Sequence, residues 1–161
     1  MTCSVSDRLT FTIHELVAEL DAHADELLRE RYGVSFNHFE FLAVLSDVEP
    51  SDMTTLARCL GVTKAAVSKR VPALVADRWI SAASEPGAGR RVLLTLTPRG
   101  AQLVRAAGAD LEGEFAAFLG DPSLAEDPID AARLNRQLVA LTSLIQQKSA
   151  ARGTHIQETS S

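Results

Sequence analysis

The chain has 161 residues, of which 46% are apolar and 23% charged, and its net charge is −5. That length holds one domain with a sizeable core, or a small domain flanked by helices that pack elsewhere, and makes two separate cores a stretch. No apolar run approaches the roughly 20 residues of a membrane span, and the N-terminus lacks a basic stretch followed by an apolar one, so a cytosolic (cytoplasmic) protein is expected.

Between Asp7 and Arg31, the residues Ile13, Leu16, Val17, Leu20, Ala24, Leu27 and Leu28 recur at three- and four-residue steps. They predict a long amphipathic helix that stops at Tyr32-Gly33, where the glycine is free to turn left-handed. Ser35 caps a second helix over Phe36 to Val48 that is apolar nearly all round and therefore belongs in a core. Glu49-Pro50-Ser51-Asp52 breaks the chain, and Ser51 or Asp52 caps a short helix ending at Leu60-Gly61. Thr63 caps a helix from Lys64 to about Asp77. Trp79 to Ser84 and Val92 to Leu96 read as strands joined by a flexible Pro86-Gly87-Ala88-Gly89 tip. Thr97-Pro98 opens a helix to Leu119, with proline at the first position, where its missing N–H costs little. After a loop from Gly120 to Pro128, a last helix runs from Ile129 to about Lys148, and a small polar tail that is expected to be disordered follows. The fold class is mainly α with a small β-hairpin.

Charge divides the same chain into three. Residues 58–105 hold nine basic against two acidic side chains, a net +7, whereas residues 1–57 carry −8 and residues 106–161 carry −4. Phosphate responds to local surface charge rather than to the total, so the island is what matters for nucleic acid. Within it, Ala57, Gly61 and Val67 stand at the offsets of a helix-turn-helix: a small residue where helices cross, a glycine in the turn, and an apolar plug. On the second helix, Val67, Val71, Leu74 and Val75 are expected to face inward. Ala65, Ala66, Lys69, Pro72 and Ala73 then face outward, with Ser68 and Arg70 at the edges. Short side chains let such a helix approach base edges. Lys69 suits a guanine or a phosphate, Ala65 and Ala66 suit thymine methyls, and Ser68 suits either base or phosphate. Arg90 and Arg91 beside the glycine-rich tip suit an adjacent minor groove. A structural helical hairpin with a solvated charged face is the alternative for the motif taken alone.

In these features the chain resembles the MarR family of winged helix-turn-helix transcriptional regulators, from its first helix to Lys148. The resemblance is strongest over Val62-Thr63-Lys64-Ala65-Ala66-Val67-Ser68-Lys69 and over Arg90-Arg91-Val92-Leu93-Leu94-Thr95-Leu96-Thr97-Pro98-Arg99-Gly100. It implies a recognition helix reading through residues 65, 66, 68 and 69, a wing led by Arg90, and a homodimer built from the first and last two helices. The expected organisation is an N-terminal dimerisation helix over 1–34, a winged DNA-binding domain over 35–100, C-terminal dimerisation helices over 101–149, and a tail over 150–161. DNA-contacting residues are then Thr63, Lys64, Ala65, Ala66, Ser68, Lys69, Arg70, Arg90 and Arg91. Three positions depart from the family pattern. Ala88 replaces an acidic residue, Arg78 replaces a glycine and is expected to be left-handed or to alter the exit, and Pro72 is expected to bend the recognition helix.

The function expected from these readings is sequence-specific binding of double-stranded operator DNA, as a repressor released by a small aromatic or anionic effector. The alternative is a winged-helix adaptor that binds protein and not DNA. The stripes Leu16 to Leu28 and Leu134 to Ile145 serve either a dimer or their own core. Phe11, Phe39, Phe41, Phe115 and Phe118 are candidates for a pocket, but aromatic residues at helical spacing are more often core, and no ligand site is assigned. Cys3 and Cys59 suggest neither a disulfide framework nor a zinc site, and Cys59 is expected to be buried. His14 and His23 lie about half a turn apart around one helix, so neither a metal nor another cofactor is expected. No phosphate loop, nucleophile elbow or metal-ligand pair points to an enzyme.

Overall fold

The computed structural model describes residues 8–84 and 92–158, with side chains described through residue 150. Helix α1 (Leu9–Tyr32) is followed by α2 (Phe36–Val48), β1 (Ser51–Asp52), α3 (Met53–Cys59), α4 (Lys64–Ala76), β2 (Ile80–Ser84), β3 (Val92–Leu96), α5 (Pro98–Leu119) and α6 (Ala131–Glu158). The predicted caps are in place. Gly33 is left-handed at φ 68° and its N–H donates to Arg29, and the Ser35 hydroxyl accepts from the His38 N–H. Of the two candidates for the α3 cap, Asp52 takes the role, accepting from the N–H groups of Thr54 and Thr55.

Residues up to Glu112 form one compact unit and residues from Gly113 a second. The first unit's core gathers Leu28 of α1, Phe39, Phe41, Leu42 and Leu45 of α2, Leu56 and Ala57 of α3, and Val67, Val71 and Leu74 of α4. Ile80 and Leu94 of the sheet and Leu103 and Ala107 of α5 complete it. Phe41, Leu42 and Leu45 of α2 have no exposed surface, as expected of a helix that is apolar on most sides. The sheet has the order β1-β3-β2 and is antiparallel throughout, with Ile80 opposite Leu96, Ser84 opposite Val92, and Ser51 opposite Leu94. The two-residue β1 was not expected from sequence. It forms because Ser51 and Asp52 lie against β3 before α3 begins, and Ser51 is buried there.

Asp110 on α5 accepts from the Tyr32 hydroxyl at 2.9 Å and from Arg31 at 3.1 Å, which ties α5 to the end of α1. Those bonds, the tyrosine's first, hold the Asp110 carboxyl below the usual carboxylate range.

The second unit comprises the last turns of α5, a short 3-10 turn at Pro122–Leu124, and α6. Asp130 caps α6 by accepting from the Arg133 N–H. This helix corrects the sequence reading, which ended it near Lys148, because its backbone stays helical to Glu158. Ala150, Ala151 and Arg152 are strong helix formers that carry it through residues read as a polar tail.

Candidate nucleic-acid interface

The turn between α3 and α4 is built as its spacing predicts. Gly61 is left-handed at φ 66°, its N–H donates to Arg58, and the Val62 N–H donates to Ala57. This is the Schellman closure that a glycine just beyond a helix end permits. Thr63 then starts α4, its hydroxyl accepting from the Ala66 N–H at 3.2 Å, and Val67 plugs the corner with no exposed surface. Opposite the plug, Thr63, Lys64, Ala65, Ser68, Lys69, Pro72 and Ala73 are exposed, and Ala66 is half-buried. Pro72 lies inside a helix assigned without a break from Lys64 to Ala76. The result is a helix face of short side chains around one long cation, Lys69.

Two positions on α4 depart from the expected arrangement. Val75 was expected inward but is 38% exposed, because Val67, Val71 and Leu74 already fill the inner stripe. Arg70 turns back towards α2, donating to the Asn37 carbonyl and placing its guanidinium 4.8 Å from the centre of the Phe41 ring. The fold uses this side chain as a brace between α2 and α4. Arg90 and Arg91, with the Pro86–Gly89 tip and Ala88, lie outside the described residues.

The exit of α4 is held more closely than its entry. Arg78 is left-handed at φ 59°, which is the first of the two outcomes expected where it stands in place of glycine. Its N–H donates to Val75 and the Trp79 N–H donates to Leu74, closing a second Schellman motif. A side chain in this conformation costs about 1–2 kcal/mol and persists only where the surroundings enforce it. The start of α5 supplies that enforcement. The Thr97 N–H donates to the Trp79 carbonyl at 3.1 Å, and the Thr97 hydroxyl lies 2.7 Å from the Arg78 carbonyl. Arg99 donates to the Asp77 carbonyl at 2.7 Å and stacks 3.8 Å from the centre of the Trp79 ring. Gly100 lets the two segments meet, since a Cβ there would stand 2.3 Å from the Trp79 carbonyl oxygen.

The His38 ring meets Trp79 edge-on at 5.1 Å, and its Nε2 is buried without a hydrogen-bond partner among the described residues. Burial pushes the His38 pKa down and the Arg70 cation pushes it further; Asp77 opposes them, and Arg99 adds a lesser downward effect. The folded state therefore binds this proton less readily than the unfolded chain does. Stability from a neutral His38 is complete above the unfolded value near 6.5 and declines as pH falls towards the lower folded value. The urea midpoint is expected to drop between pH 7 and pH 5.5, and to drop less in His38→Gln. Equal drops in the two proteins would remove His38 as the source.

Comparison with known proteins adds to this geometry. A search of curated protein sequences gives no match. Residues 32–91 match the sequence model described as MarR family. The chain is similar to the MarR family over that segment. Its fold is similar to that of the transcriptional regulator BldR from Sulfolobus solfataricus, at 24% identity and a TM-score of 0.69, covering 84% of this chain and 92% of that one. It is also similar to FabT of Streptococcus pneumoniae in complex with DNA, at 16% identity and a TM-score of 0.68, covering 88% and 96%. The MepR–DNA complex of S. aureus matches at 16% identity and a TM-score of 0.68, covering 88% and 99%.

Within residues 32–91, sequence reasoning misplaced one further residue. Cys59 is exposed rather than buried. Leu56 and Ala57 take the inner positions of the seven-residue α3, and Leu60 begins the turn, so position 59 points away from the core. Sequence reasoning also assigned no role to His38, Trp79 or Arg99. No local motif marks them, because Arg99 reaches partners about twenty positions back in the chain.

Proposed function

We propose that this protein is a transcriptional regulator that binds double-stranded operator DNA sequence-specifically, as a homodimer in the cytosol, and represses until a small molecule releases it. The observation that carries this reading is the exposed face of α4, with Lys69 among short side chains, inside a +7 segment of an otherwise acidic chain. An adaptor has no need to concentrate cations there. The direct readers in this proposal are Ala65, Ala66, Ser68 and Lys69. Thr63 and Lys64 at the helix start and Arg90 and Arg91 on the wing serve phosphate and minor groove. Arg70 serves indirectly, through its brace to α2. FabT and MepR, whose folds are similar, were each solved bound to DNA, which supports the reading.

Exposed apolar side chains support the dimer. Leu9, Phe11, Leu16 and Val17 on α1, and Leu138, Val139, Leu141, Leu144 and Ile145 on α6, are each at least 43% exposed. Such stripes on helices mark contact surfaces. Two-fold pairing would present two copies of α4 to half-sites one helical turn apart. A ligand that favours a different spacing of those helices releases the operator by its differential affinity for the two states.

Selection of bound duplexes from a random pool tests the function. The expected result is an enriched inverted repeat with half-sites about 10 base pairs apart, centre to centre. A pool that stays random at moderate salt would favour the adaptor.

A further inference from the structure

The clamp between the start of α5 and the exit of α4 has a role beyond holding the fold together. We propose that Arg99 is a positioning residue for the recognition helix: bound to the Asp77 carbonyl and stacked on Trp79, it sets the orientation in which α4 meets DNA. This inference rests on the DNA-binding reading above.

Three observations converge on it. The carbonyl that Arg99 binds belongs to the residue that ends α4, where the helix dipole leaves partial negative charge and a cation is favoured. The next residue, Arg78, holds a left-handed backbone that glycine adopts without cost, so the exit of α4 is strained and depends on its surroundings. The surroundings come from one short stretch, with Thr97 on the Arg78 and Trp79 carbonyls, Arg99 on Asp77 and the Trp79 ring, and Gly100 against the Trp79 carbonyl. A rigid helix fixed at its exit has a fixed tilt at its entry, where Ala65, Ser68 and Lys69 are displayed. Arg70 braces the same helix from α2, so α4 is gripped from two sides, and the grip at its exit comes from α5. Any change that shifts the start of α5 therefore shifts the recognition helix.

Trp79 is the only tryptophan in the chain, so its emission reports the clamp without a label. The experiment uses the full chain, with duplexes selected by the wild type and shuffled duplexes of equal length, at several salt concentrations. Arg99→Ala is expected to change Trp79 emission in the absence of DNA and to bind the selected duplex about tenfold more weakly. Its salt slope and its affinity for shuffled duplex should stay as in the wild type. Arg99→Lys keeps the charge and a donor but loses the planar stack, so it should recover part of the affinity. Equal loss on both duplexes with a slope smaller by about one would make Arg99 a phosphate contact and overturn the proposal. A folded Arg99→Ala that binds the selected duplex like the wild type would also overturn it, leaving Arg99 a stability brace. If Arg99→Ala fails to fold, Arg99→Lys decides alone: specific affinity lost with shuffled binding intact supports positioning, and unchanged specific affinity with altered Trp79 emission opposes it. A wild type that enriches no duplex removes the DNA reading itself, a result distinct from all of these.

Discussion

Replacing Phe41 with alanine is expected to cost about 3–5 kcal/mol of stability, the largest single effect in the molecule. Phe41 has no exposed surface and is among the largest fully buried side chains in the first unit. Its removal leaves a cavity among helices that are already pinned by caps and by the Asp110 bonds to α1, so the site collapses poorly. It also removes the ring beneath the Arg70 guanidinium, loosening the brace between α2 and α4. Against a usual total of about 5–15 kcal/mol, such a loss takes much of the stability. Urea unfolding checks it: the midpoint should fall steeply while the dependence on denaturant stays unchanged. A loss below about 1 kcal/mol would contradict the central place of Phe41 in the core.

Lys69→Ala is expected to weaken binding to the selected duplex by about 1–3 kcal/mol, with a much smaller loss on shuffled duplex. Lys69 is exposed on the outer face of α4, one turn from Ala65 and next to Ser68, where the neighbouring side chains are too short to replace its reach. An ammonium there donates to the O6 and N7 edge of a guanine if the helix lies deep in the groove, and to a phosphate oxygen if it rides higher. Competition binding with the two duplexes separates these geometries. Equal losses on both would make Lys69 a phosphate contact and leave base reading to Ala65, Ala66 and Ser68. No loss on either would remove the outer face of α4 from the interface.

What was legible in the sequence was mostly what is local. Gly33, Ser35, Gly61 and Thr63 mark helix ends through bonds to residues a few positions away, and each behaves as its neighbours dictate. The inner stripe of α4 was readable at Val67, Val71 and Leu74, and the left-handed backbone at Arg78 was one of two outcomes the sequence left open there. What escaped was set by distant partners or by helix phase. Strand β1 exists because β3 lies beside it, Arg70 turns inward because Asn37 and Phe41 wait on another helix, and the Arg99 clamp joins segments about twenty residues apart. Cys59 and Val75 were misplaced by phase. On a helix as short as α3 two apolar residues fill the inner face, and on α4 the third did, leaving the next apolar side chain to solvent. The proposed DNA site was legible in the same uneven way, with Lys69 and its short neighbours apparent from spacing and the control of their orientation not.

The central claim is that α4 reads sequence rather than merely attracting phosphate. The most direct measurement is the ratio of wild-type dissociation constants for selected and shuffled duplexes across a salt series. A sequence reader keeps a preference of about a thousandfold or more near physiological salt while both affinities fall as salt rises. Affinities that fall together, with a ratio near one throughout, would contradict the claim and reduce the cationic segment to a nonspecific phosphate surface.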